Sequence, residues 1–130
     1  KLKTVEDLML TKDKIPFIDE NRLMTKALKI MTEKKLGTLI VRNKKKYTTG
    51  IVTDGQIRRF SSKNINLNSL KVKDVMTKNP IKVDKNILAT KALSIMNEKK
   101  ITSLCVYERE RKFITIGILH IHNILNKKIY

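Results

Sequence analysis

A few short stretches carry side chains suited to chemistry. The first is Thr53-Asp54-Gly55-Gln56, with Arg58 and Arg59 just after it. Gln56–Phe60 reads as a helix that follows a strand. A helix start presents unpaired N–H groups and the positive end of the macrodipole to an anion. Gly55 lets a ligand come close to the backbone, and the two guanidinium groups add charge-assisted contacts to a phosphate or carboxylate. Asp54 is read as the cap of that helix or as a group that orients a ligand. The second stretch is His120-Ile121-His122-Asn123. Its two histidines alternate, so on a continuing strand they point to opposite sides. No further His and no clustered Cys joins them, which favours ligand contact or structural histidines over metal binding. Thr102 and Ser103 are strand hydroxyls, and Lys78-Asn79-Pro80 precedes an extended segment. The lone Cys105 lies in an apolar run and reads as a buried, inert thiol. No Ser-His-Asp order and no Walker loop occurs, so no catalytic residue and no metal ligand is assigned.

The elements that must hold these residues occur twice. Thr25–Lys35 reads TKALKIMTEKK and Thr90–Lys100 reads TKALSIMNEKK, nine of eleven positions matching. A fixed-period repeat decides the architecture before anything else. In the first copy Val5–Leu10 is a short helical turn and Ile15–Ile18 an extended segment. Asn21 offers a helix cap, and Leu23, Ala27, Ile30 and Met31 form a buried helical stripe. Met24 is expected to be less buried. Leu36–Val41 is an apolar strand, Asn43–Lys46 a polar turn and Tyr47–Val52 the returning strand of a hairpin. The second copy repeats the order: Val72–Met76, Pro80–Val83, the cap Asn86, the stripe Leu88, Ala92, Ile95 and Met96, then strands Ile101–Val106 and Phe113–Leu119, and a last helix opened by His120–Asn126. The predicted fold class is α+β: two small domains, each a short sheet packed with two helices, at residues 1–62 and 72–130, joined by a linker at 63–71. Halves of about 60 residues are marginal alone, so they are expected to pack face to face.

Net charge is +17, from 29 basic and 12 acidic residues, and lysine supplies 23 of the 29. These lysines are scattered over both halves. The three tyrosines and three phenylalanines do not interleave with them as a base-stacking platform requires. A solvated lysine surface is the reading, and nucleic acid is not an expected partner. One cysteine cannot form an internal disulfide, which suggests a reducing, cytoplasmic compartment. No secretory signal and no run of about 18 apolar residues appears, so no membrane partner is expected. The chain opens on Lys1 rather than Met, which suggests a piece of a longer protein.

The order of elements, the paired openings Val5-Glu6-Asp7-Leu8-Met9 and Val72-Lys73-Asp74-Val75-Met76, and the strand glycines Gly50 and Gly117 resemble a CBS domain pair, or Bateman module. The resemblance covers essentially the whole chain and implies pseudo-twofold tandem domains whose last-strand ends line a nucleotide-binding cleft. A narrower resemblance, carried by Gly50–Arg59 (GIVTDGQIRR), Asp74-Val75-Met76-Thr77 and Gly117–Leu125 (GILHIHNIL), is to the CBS pair of the D-arabinose 5-phosphate isomerase family. That likeness implies a sugar-isomerase domain as partner, absent from this chain, in a pathway supplying the Kdo sugar of lipopolysaccharide. The chain alone is then not an enzyme. It also implies a homodimer through the helices or, in the longer protein, a tetramer. No cofactor is required, and the implied ligand is a regulatory nucleotide or a CMP-sugar such as CMP-Kdo. The implied ligand-binding set is Thr53, Asp54, Gln56, Arg58, Arg59, Lys78, Pro80, Thr102, Ser103, His120, His122 and Asn123. In the family's phrase a Thr meets phosphate and an Asp holds the ribose. Here Thr53 is kept, Gln56 and Asn123 stand at the Asp positions, and His120 stands at the second Thr position. An amide bonds a diol without the charge of a carboxylate. The alternative reading is an oligomerisation module with no specific ligand.

Overall fold

A computed structural model describes residues 2–126. In chain order the elements are α1 (Val5–Leu8), β1 (Phe17–Asp19), α2 (Met24–Lys34), β2 (Thr38–Arg42), β3 (Thr48–Thr53) and α3 (Asp54–Ser62), followed by α4 (Val72–Val75), β4 (Thr77–Lys78), β5 (Lys82–Asp84), α5 (Ala89–Lys99), β6 (Ser103–Tyr107), β7 (Gly117–His120) and α6 (Ile121–Leu125). The content is mixed α+β. One sheet has the order β1-β2-β3-β4 and the other β5-β6-β7. In each, the first pair is parallel and the hairpin antiparallel.

The compact units differ from the sequence repeats. One unit is continuous, Pro16–Pro80. The other joins Lys1–Ile15 to Ile81–Tyr130. The opening segment of each repeat therefore completes the unit built from the body of the other. In the continuous unit β4 pairs with β3, Ile51 opposite Thr77. In the discontinuous unit Leu10 bridges to Ile118 in the equivalent way. The segment 63–71 expected to be a linker instead holds Leu67, which is buried in the continuous unit's core, and Lys71, which bridges to Leu23. The helix expected at Gln56–Phe60 runs from Asp54 to Ser62.

The repeated opening phrase has a physical reason. Asp74 Oδ2 accepts the Lys71 N–H at 3.0 Å, and Asp7 Oδ2 accepts the Thr4 N–H at 2.8 Å, so each Asp closes the first turn of its helix. The Met that follows lies over a strand glycine. A Cβ on Gly50 would sit 2.8 Å from the Thr77 carbonyl oxygen and against the Met76 sulfur, and one on Gly117 would meet the Met9 sulfur. The phrase and the glycines form one device that docks an opening segment onto a sheet.

The long helices start without side-chain caps. Leu23 and Leu88, not Asn21 and Asn86, occupy the cap positions. The Met24 N–H donates to the Leu70 carbonyl and the Ala89 N–H to the Lys3 carbonyl, each at 2.9 Å. Backbone from the docked opening segment thus satisfies a first-turn donor that a side chain would otherwise take. Asn21 and Asn86 instead give their N–H groups to Asp19 and Asp84. The stripe shifts accordingly. Met24 is fully buried with Ala27 and Met31, whereas Leu23 is 48% exposed. In the second repeat Ala89, Ala92 and Met96 are buried and Leu88 is exposed. These stripes pack on Leu39, Val41 and Val52 in one unit and on Leu104, Val106 and Leu119 in the other. The last strand is shorter than expected, starting at Gly117, and Phe113 lies exposed before it.

Candidate functional site

Each unit builds one strand-to-helix corner, at Thr53–Arg59 in the continuous unit and at His120–Asn123, with Thr102 and Ser103 alongside, in the other. Lys78 instead pairs with Gly50 and runs with Pro80 away from the Thr53 corner. In the continuous unit β3 ends at Thr53, which is the N-cap of α3. Its hydroxyl accepts the Gln56 N–H at 3.4 Å, and Gln56 Oε1 accepts the Thr53 N–H at 2.8 Å. This reciprocal box matches the sequence Thr-x-x-Gln. Asp54 is therefore not the cap but the first helical residue. Its N–H donates to the Gly37 carbonyl at 3.1 Å, and its carboxylate lies beside Gly37.

Gln56 is 6% exposed. Its Nε2 donates to the Val75 carbonyl at 3.1 Å and to the Thr77 hydroxyl. Both ends of the amide are used inside the protein. Its role in these contacts is to pin α3 to the exit of α4 and to β4, rather than to offer a free hydrogen-bonding group to a diol. Arg58 and Arg59 are exposed, and both reach back toward the first turn. Guanidinium nitrogens lie 3.5 Å (Arg59) and 3.9 Å (Arg58) from where a Gly55 Cβ would be. Two cations thus flank the helix start, where anion binding is favoured. Lys78 is exposed on β4 and Pro80 half-buried two residues on.

In the discontinuous unit the strand ends at His120, which caps α6. The rings of His120 and His122 do not point apart as a continuing strand would require. Helix begins at Ile121, and the rings stack with centroids 4.8 Å apart. His120 Nδ1 accepts the His122 N–H at 3.2 Å, and Asn123 Oδ1 accepts the His120 N–H at 2.9 Å. Nδ1 is therefore unprotonated. Burial, and then the His122 charge, hold the His120 pKa below its ordinary value. The Ile121 N–H donates to the Thr102 carbonyl at 2.8 Å, as Asp54 does to Gly37. Thr102 contributes backbone here, and its side chain is exposed.

A pair of hydroxyls gains weight from the structure. Thr38 pairs with Thr53, and Ser103 pairs with His120, so each stands opposite a helix cap. Thr38 Oγ1 and Ser103 Oγ are buried with no hydrogen-bond partner among the described residues. Buried polar atoms without partners are rare. Ser103 is among the residues the family resemblance implies and Thr38 is not, although the repeat offset of 65 relates the two. Cys105 is buried, and desolvation pushes its thiol up to about 12. That makes it a poor nucleophile.

Among the described residues no group of His, Cys, Asp or Glu is arranged to hold a metal ion. No helix among them is long and apolar enough to cross a membrane.

The CBS domain family matches residues 5–63 and 72–129. An uncharacterized protein of Rickettsia prowazekii (strain Madrid E) is 35% identical over 125 residues, covering 96% of this chain and 38% of its own length. The arabinose 5-phosphate isomerase KdsD of Yersinia pestis is 36% identical over 124 residues, 95% of this chain and 37% of that protein. The chain thus spans under two fifths of these relatives. Among solved structures, an uncharacterized conserved protein from Pyrococcus horikoshii superposes with a TM-score of 0.85 at 22% identity, covering 98% of this chain and 93% of that one. A crystal structure of CBSX2 in complex with AMP gives 0.83 at 24% identity, covering 96% and 95%. With both halves matched, each ending in a capped strand-to-helix corner, the chain belongs to the CBS domain family as a tandem pair of that domain.

Proposed function

We propose that this chain is the ligand-sensing CBS pair of an arabinose 5-phosphate isomerase, non-catalytic by itself, and that it binds a nucleotide or nucleotide-sugar at its strand-to-helix corners. The observation that carries the reading is the pair of unpartnered buried hydroxyls, Thr38 and Ser103, opposite the caps of α3 and α6. Leaving a buried hydroxyl unpaired costs free energy unless something else supplies the bond. The likeness to KdsD supports the parent enzyme, and the AMP bound by CBSX2 supports the ligand class. CMP-Kdo is the specific candidate, since its phosphate suits the start of α3 and its carboxylate suits Arg58 or Arg59. Binding would then report the state of a cytoplasmic Kdo pathway to the isomerase domain.

The second reading is an oligomerisation module that takes no ligand. The internal use of Gln56 favours it, because its oxygen accepts from both the Thr53 N–H and the Thr53 hydroxyl and its nitrogen donates to Val75 and Thr77.

A thermal-shift series with AMP, ADP, ATP, CMP and CMP-Kdo at physiological salt separates the two. A ligand that binds only the folded chain raises the midpoint with concentration. We expect a rise with CMP-Kdo that is lost in the Arg58→Ala, Arg59→Ala double variant. No rise with any of the five, beside a stable dimer in sedimentation, would establish the second reading.

A further inference from the structure

At the far end of β2 from the α3 corner lies a concavity of about 350 Å³, lined by Phe17, Asp19, Arg42, Asn43, Lys44 and Lys46. Thr38 opposite Thr53 marks one end of the hairpin and Arg42 opposite Thr48 the other, roughly 13 Å apart at the rise of a strand. This concavity is therefore separate from the corner at α3.

The Arg42 guanidinium lies 3.7 Å over the Phe17 ring. That packing half-buries it, and desolvation holds its pKa below the ordinary value. Asp19 stands opposite Arg42 in the parallel pair, but its Oδ1 accepts the Asn21 N–H. No carboxylate among the described residues lies within ion-pair distance of Arg42. The turn beyond is fixed by Asn43. Its Oδ1 accepts the N–H groups of Lys45 and Tyr47, and Lys46 is held in the left-handed region at φ 71°. Lys44 and Lys46 line the concavity, and Lys45 does not.

The second repeat supplies an internal comparison. Its turn, Glu108–Lys112, mixes both charges. There Glu108 and Glu6 pair with Lys85, and Lys82 donates to the Lys112 carbonyl. In the first repeat, by contrast, Arg42, Lys44 and Lys46 line the concavity with Asp19 as its carboxylate.

We propose that Arg42, Lys44 and Lys46 form a binding site for a phosphoryl dianion, either free phosphate or the phosphate of a small monoester. The dianion supplies the counter-charge that Arg42 lacks, and a partly desolvated guanidinium makes stronger charge-assisted bonds than one in open water.

The test is a ¹⁵N-correlation titration of the whole chain with sodium phosphate and with glycerol 3-phosphate, each against sodium chloride at matched ionic strength. Saturable shifts of the Arg42, Asn43, Lys44 and Lys46 amides are expected with both phosphates. Equal affinities identify free phosphate as sufficient, and tighter binding of glycerol 3-phosphate identifies a monoester site. Lys44→Gln and Lys46→Gln should each weaken binding roughly tenfold, and Lys45→Gln by less than about twofold. These variants lie on an exposed turn and leave the Phe17–Arg42 packing intact. Shifts equal to those in chloride, a Lys45→Gln effect as large as the others, or tighter binding of a short DNA duplex at the same amides would each overturn the proposal.

Discussion

Gln56 shows how one residue can be taken for a ligand group and serve as a structural one. It stands where the family resemblance places a ribose-binding acid, yet its amide joins Thr53, Val75 and Thr77. Gln56→Ala would leave a strand-end N–H and a buried carbonyl without partners, so a loss of about 2–3 kcal/mol in urea unfolding is expected. Gln56→Asp should also destabilise. It keeps an acceptor for the cap but is one carbon shorter and has no donor for Val75. If Gln56→Asp is as stable as the parent chain, the pinning role is wrong. The type of residue was visible in the sequence, but its partners were not. Val75 and Thr77 belong to the opening phrase of the second repeat, and nothing local to Gln56 points to them.

At the scale of elements, α6 depends on the protonation of its own cap. His120 uses Nδ1 as the acceptor for the His122 N–H, so protonating that nitrogen removes the cap and places a charge in the ring stack. A depressed folded pKa means that the folded chain prefers the neutral ring. The associated stability is present above the ordinary value of 6.5 and is lost as pH falls below it toward the folded value. The thermal midpoint should therefore drop between pH 7.5 and pH 5, and His120→Asn, which keeps an acceptor at the cap, should reduce that drop. An unchanged pH profile in that variant would refute the cap's role. The elements themselves were largely legible. Apolar spacing indicated α2 and α5, the change of period marked the hairpins, and the eleven-residue match gave the repeat. The caps were not legible, because the carbonyls of Leu70 and Lys3 reach Met24 and Ala89 from far along the chain. The same contacts bring Met24 inside and leave Leu23 outside, one residue from the expected stripe.

For the whole molecule, compactness and sequence repetition divide the chain differently. The family matches run over 5–63 and 72–129, whereas the compact units are 16–80 and the pairing of 1–15 with 81–130. A peptide of residues 16–80 keeps β4, the Met76–Gly50 contact and the Gln56 bonds. It should fold cooperatively by circular dichroism in urea, though marginally for its size. A peptide of residues 1–62 loses all three and should not. The reverse result would show that the repeats, not the compact units, are the folding units. Both prolines of the chain, Pro16 and Pro80, stand where it passes from one unit to the other, and each fixes φ there. Interleaving also imposes a schedule on synthesis. Val5 and Leu8 leave the ribosome well before Val83, Ala92 and Leu104, the residues among which they pack. At ordinary translation rates the gap is on the order of ten seconds. Throughout it this apolar segment stays without its partners while residues 16–80 can already have folded, so the nascent chain carries a waiting strip that a chaperone can hold or a neighbouring nascent chain can capture.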